Sequence, residues 1–139
     1  PLSSGAPTIS TSGLNHYTIR CVPGDLTELV GFYSKVLRLT PGARPTMPRP
    51  GYWLYSEGQP IVHLYASLDE RVDGPTGALD YISFRTHGLV ETLAFLDREG
   101  VVCDEFPLPG TQIHQVLLKD PIGVQIELTF DLAEEKSDV

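Results

Sequence analysis

Long apolar runs are missing from this 139-residue chain. Nothing approaches the roughly 18 apolar residues of a membrane span, so no transmembrane helix is expected. Basic clusters are missing too. Ten Lys and Arg stand against 18 Asp and Glu, a net charge of −8, which argues against nucleic acid and anionic membrane as partners. Cysteine is scarce: Cys21 and Cys103 make neither a disulfide framework nor a CxxC pair. Both sit in apolar, strand-like contexts and are expected to be free buried thiols in a reducing cytoplasm. No signal-peptide core is expected ahead of the domain. What is present is ordinary globular material, 41% apolar and 20% charged, enough for one domain with its own core.

The boundaries follow from composition. Pro1 to Gly13, rich in Ser, Thr, Pro and Gly, reads as a flexible lead-in (1–13). Residues 14–130 carry the domain, and Asp131 to Val139 an acidic, solvated tail (131–139). Within the domain, Leu14 to Cys21 alternates like a strand, with His16, Thr18 and Arg20 on one face. After Pro23-Gly24, Asp25 with Glu28 resembles a capping box, and Leu26, Leu29, Val30, Tyr33, Val36 and Leu37 recur at helical spacing. Thr40 to Gly51 holds four prolines and is expected to be a loop with at most one short irregular strand. Tyr52 to Tyr55 and Pro60 to Ala66 form a hairpin. Leu68 to Gly77 reads as a polar linker.

Beyond the linker the pattern restarts. Leu79 to Arg85 echoes Leu14 to Arg20, Leu89 to Arg98 is a second amphipathic helix closed by Gly100, and Val101–Phe106, Gln112–Lys119 and Val124–Phe130 are strands. The order strand, helix, strand, strand, strand therefore occurs twice. His16 and Tyr81 lie 65 positions apart, His63 and Glu127 64, so the chain is expected to be an internal duplication. These four residues occupy equivalent places on first and last strands. The expected fold is α+β: two βαβββ modules (14–66 and 79–130) forming a half-open curved β-sheet barrel with helices outside.

That arrangement puts His16, His63, Tyr81 and Glu127 on the concave front. Two imidazoles and one carboxylate suit a divalent first-row metal and leave positions open for substrate or water. Singly, each histidine is more often a packing or surface residue than a ligand; symmetry makes them a set. Tyr81 is placed as a weak fourth ligand or a hydroxyl on substrate. Arg20 and Arg85, at matching repeat positions, give the front a positive lining that suits an anionic or enediolate-like substrate. Gln115 also faces the front, and Trp53 is a candidate for stacking on a bound ligand.

The stretches LNHYTIR, GFYSKVL, PIVHLY, LDYISFR and DPIGVQIEL resemble the vicinal oxygen chelate superfamily, which includes glyoxalase, bleomycin-resistance and extradiol dioxygenase proteins. The resemblance covers roughly Leu14 to Phe130. It implies two βαβββ modules, with His16, His63 and Glu127 on ligand positions for one divalent metal (Fe, Mn, Ni, Zn or Co); the base that lyase or isomerase chemistry needs is Glu127 released from the metal, or Tyr81. Tyr81 stands where many relatives carry a histidine. Leu117 stands where ring-cleaving relatives often carry a tyrosine.

Two classes of function follow. One is a metal-dependent enzyme on a small oxygenated molecule, with lyase or isomerase chemistry ahead of extradiol-type dioxygenation. The other is a metal-free module of the drug-sequestering type, with the histidines as ordinary pocket residues. A homodimer is expected in either case, because small modules leave strand edges that a second copy covers.

Overall fold

The computed structural model describes residues 9–137. It contains eight strands and three helices in two matching runs. The first is β1 (Tyr17–Arg20), α1 (Leu26–Lys35), β2 (Thr40–Gly42), β3 (Gly51–Ser56) and β4 (Gln59–Tyr65). The second is β5 (Ile82–Arg85), α2 (Leu89–Arg98), β6 (Asp104–Pro107), β7 (Ile113–Lys119) and β8 (Gln125–Asp131), followed by a short α3 (Leu132–Ser137). Each run makes its own four-stranded open sheet, ordered β1-β4-β3-β2 and β5-β8-β7-β6. This is the α+β architecture of two βαβββ modules. Among the described residues the two sheets are separate: no strand of one module is hydrogen-bonded to a strand of the other.

The duplication extends to register. β1 runs parallel to β4 with Thr18 opposite His63, and β5 runs parallel to β8 with Ser83 opposite Glu127. In both sheets the remaining pairings are antiparallel. Both first strands are shorter than the alternation predicts. His16 and Tyr81 each lie one residue ahead of their strands.

Alternation decides which face is covered. Ile19, Leu54, Val62 and Leu64 of the first sheet are buried, as are Val116, Leu118, Ile126, Leu128 and Phe130 of the second. Leu26, Leu29 and Tyr33 of α1 and Leu96 of α2 join them in one core. The expected capping box at α1 does not form. Asp25 ends a 3-10 turn (Pro23–Asp25) that runs straight into the helix, and its carboxylate turns instead to Arg71, 3.3 Å away. α2 closes as expected: Gly100 and Val101 donate back to Asp97 and Leu96 in the 5→2 and 6→1 pattern.

Two segments are more structured than their composition suggests. The linker is bolted down: Arg71 Nη2 donates to Pro121 O (3.2 Å), and Gly74 N donates to Ile122 O (3.0 Å). The acidic tail begins as α3, and Glu135 from it accepts the N–H of Leu89, a donor at the start of α2 that the helix itself cannot satisfy. Residues 138–139 of the tail and 1–8 of the lead-in lie outside the described residues.

The modules are joined at the turn between β7 and β8. Asp120 is buried there, its Oδ2 accepting from Tyr33 Oη of α1 (2.8 Å) and its Oδ1 from the N–H groups of Ile122 (3.0 Å) and Val124 (2.9 Å). Burial raises the Asp120 carboxyl above the usual carboxylate range, and the donors at Val124, Tyr33 and Ile122 hold the rise down. Gly123 follows with φ +90°, and a Cβ there would come within 2.8 Å of Gly74 N. Only glycine meets both conditions.

Tyr33→Phe should lower stability by about 1–3 kcal/mol near neutral pH, because Asp120 Oδ2 is left buried without a donor. Tyr33 lowers the folded-state pKa of Asp120, so the deficit should shrink as the carboxyl is protonated in acid. Urea unfolding of both proteins across pH measures this. An equal deficit at every pH would show that the hydroxyl acts through packing alone.

Candidate functional site

The front of the first sheet is organised in rows across the strands. Thr18, His63 and Trp53 share one row, and Arg20, Tyr65 and Gly51 share the next. In the first row the Trp53 and His63 rings stack at 4.2 Å and 13°. His16, just ahead of β1, stacks on the His63 ring at 3.8 Å and 12°. His63 is thus stacked with two flat rings. Its Nε2 lies 3.1 Å from Pro60 O, and His16 Nδ1 lies 2.7 Å from Asn15 Oδ1. A carbonyl oxygen can only accept, so each contact fixes an N–H on that nitrogen and leaves His63 Nδ1 and His16 Nε2 as the lone-pair atoms. Burial lowers the pKa of His63 first, the neighbouring His16 lowers it further, and Arg44 adds to the effect; the Pro60 carbonyl opposes them. The imidazole is therefore held neutral, the form a metal or a stacked ligand requires.

On the second sheet Glu127 is only 7% exposed. Its Oε1 accepts from Ser83 Oγ (2.9 Å), Thr129 Oγ1 (3.0 Å) and Gln115 Nε2 (3.1 Å). Its Oε2 takes none of these bonds. Three donors on one oxygen lock the carboxylate rotamer and offset the cost of carrying the charge into a half-buried face. Leu117 stands directly opposite Glu127 in the β7–β8 ladder, so no side-chain hydroxyl approaches from that position.

The remaining sequence candidates fall in separate places. Tyr81, 42% exposed, lies one residue ahead of β5. Arg85 lines a cavity of about 630 Å³ bounded by the end of α1, β5 and α2, with Arg38, Phe84, His87 and Phe95 around it. Thr18 and Arg20 border a smaller cavity of about 300 Å³ beneath the linker. Within one chain the structure brings His16 and His63 together, but not with Glu127. Among the described residues no three His, Cys, Asp or Glu side chains are grouped closely enough to hold a metal ion. Parallel rings 3.8 Å apart also share no in-plane position, so the pair chelates only after the exposed His16 turns.

Arg44 is a site residue that sequence patterning misses. Its guanidinium lies 5.9 Å over the Tyr65 ring, and its Nη2 donates to Arg49 O at 2.9 Å. Nothing periodic surrounds it in the proline-rich stretch, so no pattern assigns it a face. Gly51 opens the space: a Cβ there would lie 2.9 Å from Arg44 Nη2 and 2.1 Å from Leu64 O. No helix among the described residues is long and apolar enough to cross a membrane.

No family model matches the chain, and no curated protein does. Solved structures do. A Bacillus anthracis protein of the glyoxalase family superposes at TM-score 0.74 with 17% identity, covering 90% of this chain and 99% of that one. FosX, a fosfomycin resistance protein from Listeria monocytogenes, matches at 0.70 with 15% identity over 94% and 100%, in a mutant form complexed with Mn(II) and 1S,2S-dihydroxypropylphosphonic acid. TnmS3, an antibiotic-binding protein from a Streptomyces species, matches at 0.66 with 18% identity over 89% and 99%. The chain has the fold of the vicinal oxygen chelate superfamily.

Trp53 is the only tryptophan, so its fluorescence reports on His63 directly. Protonation of His63 should change the emission with a midpoint below the ordinary histidine value of about 6.5. His16→Ala removes both cover and a neighbouring charge, and should move that midpoint up. A midpoint that stays where it was would mean that the two rings are not coupled.

Proposed function

We propose that this protein is a metal-dependent enzyme acting on a small oxygenated molecule, with His16, His63 and Glu127 as the ligands of one divalent metal. One observation carries the reading. Each of the three residues has one heteroatom fixed by the protein and its other donor atom outside those bonds: His16 through Asn15, His63 through Pro60, and Glu127 through Ser83, Thr129 and Gln115. Such outer partners are what orient metal ligands. The donor set fits Fe, Mn, Ni, Zn or Co alike.

One chain does not gather the set, so the site is assembled between two copies, with the histidine pair of one facing Glu127 of the other. Among the described residues β1 and β5 each have a strand neighbour on one side only, which leaves edges for that contact. A bound metal supplies Lewis acidity toward vicinal oxygens. The chain's own residues do the rest. Glu127 Oε2, once released from the metal, would be the base that receives a proton, the Tyr81 hydroxyl donates to the substrate, and Trp53 gives the ligand a flat wall. Arg20 beside the histidine pair and Gln115 beside Glu127 complete the polar lining, while Arg85 stands on the separate cavity between β5 and α2. Leu117 opposite Glu127 favours lyase or isomerase chemistry over ring cleavage, since that position offers no hydroxyl for a ring-cleaving step. Free Cys21 and Cys103 suit a reducing cytoplasm.

A second reading has its own support. The stacked rings of Trp53, His63 and His16 are a platform for a planar ligand without any metal, as in a drug-sequestering protein. Metal analysis of protein purified without chelator separates the two. The metal reading expects about one metal per site, loss of most of it in Glu127→Gln and in His63→Ala, and equal or tighter binding in Tyr81→His. Affinity should fall as the imidazoles are protonated in acid. No metal in the native protein or in Tyr81→His leaves the binding reading in its place. Light scattering should give twice the 15.3 kDa of one chain. A monomer at every workable concentration removes the shared site.

A further inference from the structure

The row next to His63 gathers two arginines that make no ion pair among the described residues. Arg20 lies opposite Tyr65 in the β1–β4 pairing, on the face that carries Thr18 and His63. Arg44 reaches over the same Tyr65 ring from the loop between β2 and β3. Both stay unpaired although acidic residues outnumber basic ones by 18 to 10. Arg44 is held in place by its surroundings. Its Nη2 is bonded to Arg49 O, and Tyr55 Oη fixes the adjacent backbone through Ala43 O at 2.6 Å. Its Nε is buried and has no hydrogen-bond partner. A guanidinium with an orphaned N–H over the Tyr65 ring, with a second unpaired arginine on the strand position paired with Tyr65, is arranged to receive a planar or tetrahedral oxyanion.

We propose that Arg20 and Arg44 form an oxyanion subsite over Tyr65, so that the small molecule bound on this sheet carries a carboxylate or phosphate-like group. Tyr65 is two residues beyond His63 on β4, which sets that group about 7 Å from the point facing the imidazole. The ligand is therefore bifunctional: an anionic end on the arginine row, and an oxygenated or flat end on the row of Thr18, His63 and Trp53. The inference rests on the reading that this front face binds the substrate. It does not require the metal.

Inorganic phosphate is the probe, titrated into chelator-treated protein while Trp53 emission is followed, with sodium chloride at matched ionic strength as reference. Saturable binding is expected. Arg20→Gln and Arg44→Gln should each weaken it about tenfold, the loss of one charge-assisted contact. Arg44→Lys should recover part of the loss, and Arg38→Gln, on the far cavity, should bind like the native protein. Melting temperatures check that each variant is folded. Phosphate binding no stronger than the chloride effect overturns the subsite, as does an equal loss in Arg38→Gln. A protein that takes up metal but ignores phosphate refutes this inference alone. One that binds phosphate through these arginines but holds no metal refutes only the metal assignment.

Discussion

The buried carboxylate of Asp120 is the contact on which the arrangement of the two modules depends. It gathers the Tyr33 hydroxyl from α1 and two N–H groups from its own turn, so that the helix of the first module and the last hairpin of the second meet at one acceptor. The linker is fastened to the same turn through Arg71 and Gly74. A charge at this depth would be costly without those donors, and its raised pKa records the burial. What the turn fixes in return is the start of β8, and with it the place of Glu127.

Glu127 and His63 then illustrate how one register serves two sheets. Each stands opposite a hydroxyl residue of its parallel partner strand, Thr18 in one module and Ser83 in the other. The chemistry has diverged around that common frame. In the first sheet the position is built of stacked rings, with a neutral imidazole against an indole and a second imidazole. In the second it is built of hydrogen bonds that converge on a single carboxylate oxygen. The first is a flat neutral surface and the second a fixed charge, and the proposed site draws on both.

Much of this was legible in the sequence because the signals were local and periodic. Alternation in Val124 to Phe130 and in Pro60 to Ala66 marked the covered faces, helical spacing marked α1 and α2, and the offsets of 65 and 64 marked the duplication. The placement of His63 and Glu127 on strand fronts follows from period two alone. Local grammar misled where a tertiary partner prevailed over it. Asp25 left its capping role for Arg71, the polar linker became a strap, and the acidic tail became a cap on α2.

The sequence by itself determined the elements, their order and the face on which each side chain stands, because those depend on backbone periodicity and near-neighbour chemistry. Only the tertiary structure decided which side chains meet. The stacking of His16 on His63, the Ser83 and Gln115 donors on Glu127 Oε1 and the reach of Arg44 over Tyr65 all join residues from different strands or from an aperiodic segment. Their proximity is set by strand register and by how closely backbones approach at Gly51 and Gly123. Those distances are not written in any local pattern, since they arise from packing between segments far apart in the chain.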